Sequence, residues 1–324
     1  MIVVLLNSAP AHAGVDVLTS VKPLQLIAAA IQDGVGQPAV LLPPGASAHH
    51  YALRPSDVRH IRSADLFYWI GPDMEGFLGP VLKARKGSSL AVQSLPGLTL
   101  RHFGDEHAAS HQDHDGQADH DDHAHESETA HEDHDEPATA DHDEHDHAHR
   151  PGSLDAHLWL LPANAEVIAA RMADDLAAVD SANAPRYQAN LEAFRQRLGE
   201  LDKRLQTRLS SISSKPFFVF HEAYDYFEAA YGLEHTGVFS AGGEAQPGAR
   251  HVAEMRQRLE QSGPSCVFHE PPARPRLASA LVRGLPAKVA ELDAMGHGIE
   301  ANADGYARLI ENLGTSLADC VESL

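Results

Sequence analysis

The feature that most constrains this chain is a tract that cannot enter any core. From His102 to His149 the sequence is His, Asp, Glu and Ala with little else: 13 histidines and 17 acidic residues, without one Lys or Arg. Such a segment buries too little apolar surface to offset the entropy of ordering it, so it is expected to be a disordered loop. The fold must be assembled from the stretches on either side. The 324 residues then divide most naturally into two lobes of roughly 150 residues each.

The tract also accounts for the net charge. The whole chain carries −21, and without the 17 acids of the tract −4 remains. That is an ordinary globular surface with no basic face for nucleic acid. The repeated His-x-Asp-His spacing inside the tract offers overlapping imidazole and carboxylate sets at His111, His114, His120, His123, His125, His131, His134, His142, His145, His147 and His149. A merely solvated acidic linker would not require so many imidazoles, so these residues are expected to form an auxiliary metal-binding loop.

Outside the tract, strands alternate with helices. The first stretch reads as strand 15–19, helix 24–31, strand 39–42, a helix from Ser56 capped by Ser and Asp, strand 66–70, helix 74–86 and strand 90–92. After the tract come a helix from Pro162 and a longer one with Tyr187, Leu191, Phe194, Leu198, Leu201, Leu205 and Leu209 in steps of three and four. A second alternation follows: strands 216–220, 236–239, 265–268 and 288–292, helices through Tyr226 and over 250–261, and a closing helix 303–321. Alternation of this kind predicts parallel sheets covered on both faces. The fold class is α/β, with 14–161 as the first lobe, 162–180 as a rigid interlobe helix and 181–324 as the second lobe.

In open α/β sheets, ligands bind beyond the carboxyl ends of the strands, and three histidines stand at such places. His49 follows the Leu-Pro-Pro-Gly break after a strand, His157 lies in Asp-Ala-His-Leu-Trp, and His221 ends Phe-Val-Phe-His. Taken singly, each could be an ordinary hydrogen-bonded residue. Together they can meet in one cleft as a metal site, since neutral imidazole suits zinc, copper, iron and nickel. His50, adjacent to His49, should point the other way, and His60, between Arg59 and Arg62, reads as a solvated helix residue. Strand-end acids also approach the cleft: His269 is followed by Glu270, and Asp293 ends the last strand. Asp293 is the candidate for a fourth, oxygen ligand, the alternative being a cap for its own Leu-Asp-Ala-Met-Gly turn.

Residues 1–13, MIVVLLNSAPAHA, hold a short apolar run ending in Ala-His-Ala. They read as a signal peptide remnant with the mature chain starting near Gly14, though the basic n-region is missing. The run is too short to span a bilayer. The two cysteines, Cys266 and Cys320, fall near the start of a strand and in the last turn of the closing helix. An oxidising compartment would join them as a disulfide; two reduced core cysteines are the other reading.

Longer stretches then become familiar. GASAHHYALRPSDV, ADLFYWIGPDMEGFL, DAHLWL, FFVFHEAYDYFE, PGARHVAEMRQRLEQSGPSCVFHEPPARP and ELDAMG resemble the zinc-specific periplasmic solute-binding proteins of ABC importers, the ZnuA type. The resemblance covers nearly the whole mature chain and extends to the inserted His/Asp loop and the late cysteine pair. It implies two α/β lobes joined by a long helix and one Zn2+ in the cleft, with His49, His157 and His221 on the family's histidine positions. It further implies a periplasmic, non-catalytic monomer that delivers zinc to a membrane permease and its cytoplasmic ATPase. In many relatives a Glu precedes the loop histidine; here it is Ala48. That departure leaves water, Asp293 or a histidine of the acidic loop for the fourth position. Asp155, two residues before His157, is placed either to orient the imidazole or to make a lobe-spanning hydrogen bond.

Two other functions compete. Three histidines with an open position could activate water in a zinc hydrolase, but no HExxH or equivalent sets a general base beside them. A metal-buffering or adhesin-like surface protein would keep the cleft and the loop but serve no transporter.

Overall fold

A computed structural model describes residues 14–104, 152–240, 248–272 and 276–324. The expected leader at 1–13 and the auxiliary histidines from His111 to His149 lie outside them.

The first lobe runs β1 (Val17–Thr19), α1 (Lys22–Ile31), β2 (Ala39–Val40), α2 (Pro55–Ser63), β3 (Leu66–Trp69), α3 (Gly79–Lys83) and β4 (Ser88–Ala91). Two long helices follow, α4 (Pro162–Val179) and α5 (Ala184–Leu209). The second lobe comprises β5 (Phe217–His221), α6 (Asp225–Tyr231), β6 (Gly237–Ser240), α7 (Ala249–Ser262), β7 (Ser265–His269), α8 (Arg276–Leu281), β8 (Ala287–Glu291) and α9 (Gly305–Glu322).

Each lobe holds a four-stranded sheet, in the orders β2-β1-β3-β4 and β6-β5-β7-β8. All their strand pairs are parallel, as the alternation requires. The two lobes therefore repeat one winding, in which the second strand lies outside the first and the order reverses between first and third. Ligands of such sheets lie at that reversal, beyond the strand ends; in the second lobe it is the gap between β5 and β7.

Two elements depart from the sequence reading. The helix expected over 74–86 is a 3-10 turn at Gly76–Leu78 followed by the short α3. Gly79 and Pro80 interrupt it, because Pro80 has no N–H and its ring excludes the carbonyl four residues back. The helix α8 was not anticipated, since six residues after a Pro-rich stretch give too little periodicity to read.

Residues 162–180 were expected to join the lobes. In the structure α4 packs on α1 and α5, while the longer α5 touches α1 of the first lobe and both α6 and α9 of the second. Asn190 on α5 donates to the carbonyls of Ile31 (2.8 Å) and Asp33 (2.9 Å), and Arg197 donates to that of Ala303 (3.0 Å). The apolar stripe read from the sequence is buried along α5. Cys266 and Cys320 form a disulfide that ties α9 to β7.

The acidic tract leaves and returns at one point. Phe103 N–H donates to Ser153 O at 3.0 Å and Gly152 N–H to Phe103 O at 2.7 Å, while His102 bridges to Leu154. The 47 residues from 105 to 151 thus interrupt a closed hairpin whose base lies just before Asp155.

Candidate metal centre

His49 is set by a turn after β2, in which the Ser47 hydroxyl accepts the N–H groups of His49 (3.1 Å) and His50 (3.0 Å). Such a bond from a serine to the backbone two and three residues on fixes a loop that has no helix or strand to hold it. His49 is half-buried and His50 exposed. Ala48 is buried in the apolar core, so the residue before the loop histidine offers no ligand here.

His157 sits in a short connection pinned to the second lobe. Trp159, fully buried, donates its indole N–H to Ala294 O at 3.0 Å, and Tyr306 of α9 donates to Trp159 O at 2.6 Å. The Asp155 carboxylate accepts the His157 backbone N–H (2.9 Å) and its Nδ1–H (2.7 Å) through Oδ1. Tyr226 OH donates to Asp155 O at 2.9 Å. Both roles considered for Asp155 therefore occur, the side chain turning the imidazole while the backbone takes the bond from the second lobe.

His221 is the last residue of β5, at the reversal of the second sheet. Its Nδ1 lies 3.2 Å from Glu270 Oε2. The three imidazoles converge, with ring centroids 4.9 Å apart for His157 and His221, 5.7 Å for His49 and His157, and 6.0 Å for His49 and His221. Their ligand nitrogens all lie within 4.8 Å of one another, close enough to share one ion. Burial, followed by the neighbouring His221, holds His157 well below its ordinary pKa. It is therefore a neutral imidazole, the form that binds a metal.

Asp293 has the other of the two roles considered for it. Its Oδ1 accepts the N–H of Met295 (3.0 Å) and of Gly296 (2.9 Å), and its Oδ2 that of His297 (2.6 Å). Its Oδ1 also accepts His297 Nδ1–H at 3.0 Å, and His297 Nε2 receives Gly45 N–H across the lobes at 3.3 Å. A carboxylate that caps its own turn and steadies a lobe contact is already occupied, and Asp293 is not in the three-histidine group. The acids that touch the group are Asp155, at 2.7 Å from His157 Nδ1, and Glu270, one residue past β7.

A second group of ligand-type residues escaped the sequence reading: Asp225, Glu228 and His235. Gly232 ends α6 in the left-handed conformation at φ 65°, which glycine alone adopts freely, and the chain turns back to set His235 against the helix. His235 Nδ1 lies 3.0 Å from both Glu228 oxygens, and Glu228 Oε2 also accepts His235 N–H at 2.9 Å. Burial alone would lower the His235 pKa, but Glu228, Asp225 and Glu222 carry it up to about 9. The imidazole is itself the cation there.

Comparison with known proteins agrees with this architecture. Residues 17–320 match the family model described as the zinc-uptake complex component A, periplasmic. The high-affinity zinc uptake system protein ZnuA of Yersinia pestis is 38% identical over 312 residues, covering 96% of this chain and 92% of the relative. A crystal structure of ZnuA superposes with a TM-score of 0.71 at 21% identity, covering 95% of this chain and 99% of that one. A zinc-bound ZnuA deletion mutant gives 0.68 at 21%, covering 94% and 98%. At such identity the two structures speak for the fold.

Proposed function

The chain belongs to the family of periplasmic zinc-uptake components, and from that premise we propose that it captures Zn2+ through His49, His157 and His221 and delivers it to the membrane permease of an ABC importer. Members of this family are substrate-binding components of a transport system and not enzymes. The observation that carries the reading is the convergence of three imidazoles, one from the first lobe, one from the connection and one from the second lobe, with ligand nitrogens within 4.8 Å. Each is set by bonds already made, His49 by the Ser47 turn, His157 by Asp155 and His221 by the end of β5, so little ordering is required when the ion arrives. Three neutral nitrogens suit borderline-soft zinc better than they suit manganese, which favours carboxylates.

The protein acts in the periplasm as a monomer, with residues 1–13 as its leader. No helix among the described residues is long and apolar enough to cross a membrane, so the permease and its ATPase supply the membrane passage. The tract from His102 to His149 holds further ions weakly. Two experiments test this reading: competition of the purified protein with a zinc chelator, and growth of a deletion strain under zinc limitation. One tight site per chain and a growth defect rescued by added zinc are expected. Tight binding without a growth defect would instead make the protein a metal buffer.

A further inference from the structure

The strand register brings Glu270 to His221. In the pairing of β5 with β7, Phe217 stands opposite Cys266, Phe218 opposite Val267 and Val219 opposite Phe268. The offset is 49 residues throughout, and continued past the strand ends it sets Glu270 beside His221, across the gap where the sheet order reverses. Both oxygens of Glu270 are engaged: Oε2 lies 3.2 Å from His221 Nδ1, and Oε1 lies 2.8 Å from the hydroxyl of Tyr224. That hydroxyl is also 2.7 Å from Leu292 O at the end of β8. Tyr224 is buried, so the carboxylate is held from behind by a fixed group. On the other side of the centre, Asp155 does the same for His157 at 2.7 Å.

The two pairs have one consequence in common. A carboxylate that accepts the Nδ1–H hydrogen bond fixes the tautomer and leaves Nε2 as the nitrogen able to bind a metal. A dication bound by three neutral imidazoles keeps both its charges. Two carboxylates lie one hydrogen bond behind the ligands, and among the described residues no acid is a member of the ligand group itself.

We propose that Glu270 is a positioning residue for zinc capture: it accepts Nδ1–H of His221, aims Nε2 at the ion and supplies negative charge that the three imidazoles lack. The proposal rests on the reading of the three histidines as the zinc ligands. Outer partners of this kind typically change metal affinity about 10–100-fold.

The test is chelator competition on the full chain, comparing wild type with Glu270→Gln and Tyr224→Phe, together with Co2+ spectra and melting temperatures of the metal-free proteins. Glu270→Gln keeps the shape and removes the charge, and it should bind zinc about 10–100-fold more weakly. Its Co2+ ligand-field bands should stay at the wild-type position, because the ligands themselves are retained. Tyr224→Phe leaves the charge but frees Oε1 and should weaken zinc binding by a smaller factor, which keeps the idea testable if the Gln variant fails to fold. Wild-type affinity in the folded Gln variant would overturn the proposal. So would displaced cobalt bands, which would make Glu270 a ligand, or an unaltered Tyr224→Phe protein where the Gln variant cannot be used. A wild-type chain without tight zinc binding would overturn the parent reading instead, a result distinct from all of these.

Discussion

Two clusters, one that includes the last residue of β5 and one on and just after α6, use the same side-chain chemistry to opposite ends. At His49, His157 and His221 the imidazoles face one another and the carboxylates of Asp155 and Glu270 stand behind them. At Asp225, Glu228 and His235 the carboxylates face the imidazole directly. In the first arrangement burial and a neighbouring imidazole keep His157 neutral; in the second, acids in contact charge His235 up to about 9. Residue type and proximity are alike in both. What separates a site for a cation from a salt bridge is whether the acids sit in front of the ring or behind it.

The largest expected effect tests that contrast directly. Zinc sites built wholly from protein ligands are worth about 10–16 kcal/mol, so one imidazole in three or four contributes roughly 4 kcal/mol, about a thousandfold in affinity. His157→Ala or His221→Ala should therefore weaken zinc by about three orders of magnitude, whereas His235→Ala should leave zinc affinity within roughly threefold. Chelator competition on the three proteins decides it. Equal losses at His157 and His235 would abolish the distinction between the clusters.

A second test asks whether the difference is local or depends on a rigid second lobe. Cys266 and Cys320 are 54 residues apart in sequence, and a loop of that length is worth about 4 kcal/mol in the chain-entropy model, with measured gains often smaller. Replacing both by Ala should lower stability by up to that amount in urea melts while zinc affinity moves little. A parallel collapse of zinc affinity would show that the histidines rely on the clamp between α9 and β7.

Much of this could be read from the chain. Alternating apolar runs gave the parallel lobes, and a histidine closing Phe-Val-Phe-His could be placed at a strand end because the strand itself was legible. The rest depended on register and return angles. Glu270 meets His221 only through the 49-residue offset of β5 against β7, which no local pattern encodes. His235 meets Glu228 because Gly232 turns the chain back at φ 65°, and a glycine in the sequence does not announce its φ. Asp293 stood at a strand end like a ligand, but three N–H groups of its own turn claim it first. The hairpin base at Phe103 and Gly152 pairs residues that the acidic tract holds far apart in sequence.

A pH series sharpens the electrostatic side of the comparison. The folded pKa of His235, about 9, lies above its ordinary value of 6.5, so its charge contributes stability that is fully present below about pH 6.5 and lost as pH rises through about 9. The gap of roughly 2.5 units sets an upper bound of about 3 kcal/mol. Urea melts of wild type and His235→Asn should differ most near pH 6 and converge above about pH 9. A difference independent of pH would mean that His235 contributes by packing alone.

The smallest expected effect concerns the tract that first divided the chain. Gly152 N–H already donates to Phe103 O at 2.7 Å, so deleting 105–151 and joining Gly104 to Gly152 shortens a loop whose ends are in contact and leaves Asp155 and His157 in place. The cleft histidines come together among the described residues without any ligand from 105–151. The deletion should thus remove weak zinc stoichiometry and change the tight site by less than about threefold, or roughly 0.7 kcal/mol. The weak sites of the full chain should also empty first on acidification, because ordinary imidazoles protonate near pH 6.5 while burial keeps His157 neutral well below that. Calorimetry of both proteins at pH 7 and pH 6 measures each part. Loss of the tight site on deletion would show that a histidine of the tract completes the coordination at the position where Ala48 offers nothing.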